Sequence, residues 1–137
     1  MNVQSYLFFD GCCEEAIGFY TIAFHATVEF LMRYEQGPKE LMPDGWGQKI
    51  FHATMRIGET LIQLADDASA DRVSHRGFAM LVHADSDEDA KAMFGVLEKD
   101  GKVIVPLDKS FWAALYGVVT DRFGVTWKIQ LNFPDPS

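Results

Sequence analysis

Residues 49–57 alternate, with Phe51, Ala53, Met55 and Ile57 on one side and His52, Thr54 and Arg56 on the other. A period of two predicts a half-buried β-strand. Strands are predicted in the same way at 4–9, 26–33 and 60–65. A further set follows at 78–83, 102–105, 111–120 and 125–133. Between the first two strands, Ala16, Phe19, Tyr20 and Ala23 recur at helical spacing, predicting a helix over 12–23 with one buried stripe. Glu14 and Glu15 favour its first turn. A second helix is predicted over 87–99, with Ala90, Met93, Phe94 and Leu97 as its stripe. Ser86 with Asp89, or Asp85 with Glu88, has capping-box spacing at its start. Asp100 and Gly101 should end it, the glycine in a left-handed cap. Pro106 should stop the strand at 102–105, and Pro134 and Pro136 should end the last one.

The order strand–helix–strand–strand–strand therefore occurs twice. Module one covers about 1–67 and module two about 76–133, joined by a polar stretch near 66–76. A loop rich in glycine and proline, 34–47, lengthens the first copy. One four-stranded sheet with one helix leaves its other face wet, and two such halves can shelter a shared concavity. The fold class is α+β, in one domain.

Composition narrows the function. At 137 residues with 48% hydrophobic content, the chain can bury one core. Twelve basic residues against twenty acidic give a net charge of −8, which argues against binding nucleic acid or an anionic membrane. No apolar run is long enough for a membrane span, and no signal peptide is read, so a cytoplasmic location is expected. Cys12 and Cys13 are adjacent, which excludes a disulfide framework and fits a reducing compartment. A helix N-terminus can lower a thiol pKa; two small residues at a helix start is the plainer reading.

Several stretches carry a resemblance. They are Tyr6 to Tyr20 (YLFFDGCCEEAIGFY), Leu31 to Tyr34 (LMRY), His52 to Gly58 (HATMRIG), Phe111 to Ala113 (FWA), Val119 to Gly124 (VTDRFG), and Trp127. In this order the chain resembles the vicinal oxygen chelate superfamily of glyoxalases, bleomycin-resistance proteins and extradiol dioxygenases, and within it the PhnB-like branch. The resemblance implies paired βαβββ modules in a half-open mixed β-barrel around a cavity, and a homodimer. Some PhnB-like members carry a demethylubiquinone methyltransferase label. No glycine-rich nucleotide turn supports it here.

Metal-dependent relatives place His and Glu ligands on strands lining the cavity. The matching positions here are Ser5, Gln63, Phe78 and Lys128, none a good ligand for a divalent ion. No metal and no cofactor are therefore expected. If Ser5 and Gln63 face inward, so do Leu7, Phe9, Leu61 and Ala65. Phe78 brings Met80 and Val82 with it, and Lys128 brings Thr126 and Gln130. Aligning the third strands adds Trp112, Ala114, Tyr116 and Val118.

His52 is the candidate acid–base residue, because imidazole titrates near neutral pH. Its plainer reading is a strand histidine satisfied by a neighbour. Arg56 and Lys128 are candidate anion anchors, against solvated or ion-paired alternatives. Gln63, Phe78, Phe9, Trp112 and Tyr116 complete the candidate small-molecule site. His25, His75 and the His83–Asp85 pair are weaker. Asp66, Asp67 and Asp71 read as a solvated acidic loop. Three functions remain open: a metal-free enzyme on a small metabolite, a protein sequestering a planar drug or metabolite, and, disfavoured by the missing ligands, a metal-dependent lyase, isomerase or dioxygenase.

Overall fold

The computed structural model describes residues 1–69 and 73–135. Asp71 and Pro136 lie outside the described residues. The chain divides into two compact units, Met1–Ser74 and His75–Ser137. Each is a βαβββ module.

The first unit contains β1 (Tyr6–Phe9), α1 (Cys13–Phe24), β2 (Thr27–Arg33), β3 (Ile50–Ile57) and β4 (Thr60–Asp66). Its sheet runs β1-β4-β3-β2. β1 lies parallel to β4, and the other pairs are antiparallel. Helix α1 packs on β3 and β4. Its buried residues are Cys13, Ala16, Ile17, Tyr20, Ala23 and Phe24, so the stripe sits one step round from the predicted one and Phe19 is only half-buried. From the sheet, Leu7, Phe9, Ala53, Met55, Ile62 and Leu64 complete the core.

The start of α1 has no side-chain cap from Cys12. The cap comes from across the fold. Asp66, at the end of β4, accepts hydrogen bonds from the Cys13 and Ile50 backbone N–H groups, both at 2.9 Å. One carboxylate thus ties the helix start to the start of β3. Asp66 is 2% exposed, which corrects its reading as part of a solvated loop. Burial raises its pKa above the ordinary carboxylate value, and the Ile50 and Cys13 N–H groups only partly offset this.

The same burial decides the thiols. Both Cys12 and Cys13 are pushed up, first by desolvation and next by the Asp66 charge. Whatever lowering a helix N-terminus could supply is outweighed here, as the plainer reading of two small residues at a helix start requires.

The second unit contains β5 (Met80–His83), α2 (Asp87–Leu97), β6 (Lys102–Asp108), β7 (Leu115–Thr120) and β8 (Thr126–Leu131). Its sheet runs β5-β8-β7-β6, with β5 parallel to β8. Neither sheet closes on itself. Ser86 caps α2 by accepting from the Asp89 N–H at 3.1 Å, so of the two predicted starts the cap falls at Ser86. Beyond α2 it is Asp100 that takes positive φ, +58°. Gly101 is needed for another reason: a Cβ there would meet the backbone carbonyl oxygens of Thr120 and Leu97.

β6 continues through Pro106, where a stop was expected. It is an edge strand, and its register with β7 shifts between Val105 and Asp108. Proline is tolerated at such a place because no ladder N–H is required of it. β7 begins at Leu115, later than predicted. Ser110 holds the preceding residues in a bend, donating its N–H to the Ala113 carbonyl and accepting from the Ala113 N–H at its hydroxyl. That bend throws Phe111 (92% exposed) and Trp112 (47%) outward.

In the turn before β8, Asp121 accepts from the Phe123 and Val125 N–H groups and from the Trp127 indole N–H at 2.9 Å. This carboxylate, 3% exposed, fixes the largest fully buried side chain of the chain.

Candidate functional site

Each sheet has one face under its helix and one open face. On the first sheet, register assigns the open face. Tyr6 pairs with Gln63, Gln63 with Thr54, and Thr54 with Phe30, so these four share a side. Phe8 lies beside Tyr6, its ring stacked at 4.8 Å between centroids. His52 lies on the same side, its ring 5.6 Å from Tyr6 and 5.8 Å from Phe30. This corrects the expected facing of β1. Leu7 and Phe9, both 1% exposed, point into the core, while Tyr6 and Phe8 share the face of Gln63. Phe9 is thus placed away from the open face.

The Tyr6 hydroxyl and His52 Nδ1 lie 2.7 Å apart. Burial raises the Tyr6 pKa, so the phenol is protonated near neutral pH. The bond can then run two ways. A donating phenol puts the neutral ring's proton on Nε2; an accepting phenol takes it on Nδ1 and leaves Nε2 as an unprotonated base. Either way the ring's tilt is held by Tyr6. Gln63 is committed within the sheet: it accepts from the Thr54 hydroxyl at 2.7 Å and donates to the Gln4 side chain at 2.8 Å.

Arg56 is also committed. Its Nε donates to Glu29 at 2.6 Å, and both side chains are near half-exposed. A hollow of ≈ 280 Å³ opens beside it, lined by Gln4, Glu59, Thr60 and Leu61 among others. An anion there would compete with Glu29.

On the second sheet the same displacement recurs. Lys128 pairs with Leu81 and Val118, and Gln130 pairs with His83 and Tyr116. The open face therefore carries Leu81 and His83 from β5. Met80 pairs with the buried Trp127 and belongs to the helix side, contrary to the expected set of Met80 and Val82. Phe78 precedes β5 and is 46% exposed. Tyr116 and Trp112 meet edge to face, with centroids 4.8 Å apart. The third-strand alignment holds for Tyr116 and Val118 on β7, while Trp112 and Ala114 precede that strand: Thr54 opposite Gln63 corresponds to Val118 opposite Lys128, which makes His52 the counterpart of Tyr116.

His25 is exposed and ends α1 in the left-handed conformation. His75, within the joining stretch, is half-buried. Among the described residues, no group of three or more His, Cys, Asp or Glu side chains comes together as a metal site. The donors do not fit the His and Glu set of metal-dependent relatives. The first face offers one imidazole already bonded to a phenol, plus a carboxamide. On the second, the Lys128 ammonium stands where a cation would be repelled.

Tyr6, Phe8 and Phe30 were not among the sequence candidates. The run YLFF is apolar at both parities, so alternation could not say which pair faces out. Only the parallel pairing with β4 does. No helix of the described residues is long and apolar enough to cross a membrane.

Comparison with known proteins agrees with this architecture. The chain is 30% identical to Protein YjdN of Escherichia coli (strain K12), over all of this chain and 99% of that one. It superposes on the crystal structure of protein PA1353 from Pseudomonas aeruginosa with a TM-score of 0.87 and 32% identity, covering 96% of this chain and 98% of that one. A PhnB protein from Bacillus cereus, described as a putative 3-demethylubiquinone-9 3-methyltransferase, gives 0.81 and 25%, covering 96% and 99%. The model of the glyoxalase/bleomycin resistance protein/dioxygenase superfamily matches residues 3–129, and the chain belongs to that superfamily.

Proposed function

We propose that this chain is a small-molecule protein whose first module works through its open sheet face, with His52 moving a proton and Tyr6 orienting it. The Tyr6–His52 hydrogen bond, set among three half-exposed aromatic rings, carries the reading. Rings supply apolar contact for a planar metabolite, and a few polar groups fix its orientation. An imidazole held at one nitrogen by a phenol presents the other to a ligand, as acid–base chemistry requires. No metal step enters, because the donors on the face do not make the superfamily's ligand set. The homodimer implied by the family belongs to the same proposal; sedimentation at micromolar concentration tests it, a monomer counting against it.

A second reading is sequestration of a planar ligand without turnover. The exposed rings and the net charge of −8 favour it for a cationic ligand. A screen of planar metabolites, followed by amide NMR shifts, tests both. Under the enzyme reading, shifts centre on Tyr6, Phe8, Phe30 and His52, and His52→Ala abolishes turnover. Tight binding with no turnover, unchanged in His52→Ala, leaves sequestration. Shifts confined to residues off this face overturn both.

A further inference from the structure

Among the described residues, the open face of the second sheet carries the Lys128 ammonium with no partner. Lys128 sits on β8, an interior strand, and is exposed. Its side chain makes no ion pair or hydrogen bond among the described residues; Lys102, also unpaired, reaches the same side from the edge strand β6, opposite Thr120, farther from Tyr116. Its strand neighbours on this face, Leu81 and Val118, are apolar. The nearby carboxylate that register brings to the face, Asp108, is opposite Tyr116 on the edge strand β6. Two strand spacings, about 10 Å, separate β6 from β8.

Beside this cation stands an aromatic wall. Tyr116 is the diagonal neighbour of Lys128 across the β7–β8 pair, since Tyr116 opposes Gln130 and Val118 opposes Lys128. Diagonal neighbours lie about 7–8 Å apart, within reach of long side chains. The Trp112 ring packs against Tyr116 and is 47% exposed, held there by the Ser110–Ala113 bend. Between the wall and the cation, Gln130 donates to Asn132 along the same strand, so its amide is already oriented.

We propose that this face binds a planar aromatic carboxylate, its ring against Tyr116 and Trp112 and its carboxylate on the Lys128 ammonium. The chemistry follows from the parts. An ammonium without a counter-ion gains most from a carboxylate, through a charge-assisted hydrogen bond. Aromatic edges and faces take a flat ring. The overall acidity of the chain does not forbid it, because at physiological salt charges are screened over about 8 Å. The proposal stands apart from the first-module reading, on different residues.

The test is titration of the full chain with benzoate, followed by amide NMR, with benzamide as the neutral analogue of the same shape. Benzoate should shift residues around Lys128, Tyr116 and Trp112, saturating in the millimolar range, and benzamide should bind at least tenfold more weakly. Lys128→Met should weaken benzoate at least tenfold while Lys128→Arg retains it. The dispersed spectrum of each variant reports that it is folded. Equal binding of benzoate and benzamide, or unchanged benzoate binding in Lys128→Met, overturns the proposal. So does the absence of shifts on this face. Shifts at Tyr6 and His52 alone would overturn it while supporting the first-module reading; shifts at Lys128, Tyr116 and Trp112 alone would support it and leave the first-module reading to its own test.

Discussion

The hydroxyl of Tyr6 and Nδ1 of His52 lie 2.7 Å apart across 46 residues of sequence. They meet because β4 runs between β1 and β3, parallel to one and antiparallel to the other. The bond is solvent-exposed, so it contributes little to folding and its value lies in orienting the imidazole. Tyr6→Phe and His52→Ala should each cost about 0.5–1.5 kcal/mol. Urea denaturation checks this. A double-mutant cycle should show coupling within the same range, and a coupling near zero would mean that the pair is not formed in solution.

Asp66 should matter far more to stability. Asp66→Ala leaves the Cys13 and Ile50 N–H groups buried without an acceptor, at about 1–3 kcal/mol each. Asp66→Asn keeps one acceptor oxygen and should lie between Ala and wild type. Chemical denaturation of the three proteins orders them, and equal stability would contradict the cap.

The pH dependence carries a definite sign. The folded pKa of Asp66 is raised, so between its ordinary value and the raised one the folded state holds more proton than the unfolded state. Its contribution is therefore fully present below the ordinary carboxylate pKa and is lost as pH rises through the folded value. Glu14 does the opposite: its hydrogen bond with Arg33 lowers its pKa, so its small contribution is lost as pH falls through the folded value. Stability of wild type minus Asp66→Asn, measured by urea midpoints from acid to neutral pH, should fall as pH rises. A rising difference would reverse the assignment.

Both thiols should be inert. Burial and the Asp66 charge hold Cys12 and Cys13 above the ordinary thiol pKa, so little thiolate exists at neutral pH. Iodoacetamide should label the native protein at least ~100-fold more slowly at Cys13 than the urea-unfolded chain. Mass spectrometry of the labelled peptide distinguishes the two sites, and rapid native labelling of Cys13 would refute its burial.

Gly117 should not accept a side chain. A Cβ there would come within 2.8 Å of both the Leu107 Cα and the Phe94 ring. Gly117→Ala should destabilise by about 1–3 kcal/mol through overpacking between α2 and β6. Thermal unfolding reads this directly; an unchanged midpoint would mean that the strand gives way at no cost.

Much of the fold was legible because it depends on local period. Residues 52–56 alternate cleanly, and Ala53 and Met55 are fully buried while His52, Thr54 and Arg56 are not. The repeated strand and helix order, the Ser86 cap and the third-strand alignment of His52 with Tyr116 are local or nearly so. What pairing decided was invisible. The run at 6–9 is apolar or aromatic throughout and that at 80–83 is polar only at its last residue, His83; each came out one residue displaced. As a result Tyr6, Phe8, Leu81 and His83 share the open faces, and Phe9 belongs to the core.

By itself the sequence determined the two βαβββ modules, the superfamily, and the lack of a His and Glu ligand set at the positions matched to it. Patterning and residue chemistry suffice for these. Tertiary structure alone decided which side each first strand shows, because a parallel strand takes its register from a partner far along the chain, as Tyr6 does from Gln63 and Met80 from Trp127. It also turned Asp66 from a surface charge into the cap of α1. A buried carboxylate is defined by the N–H groups aimed at it, and those come from segments that only folding brings together.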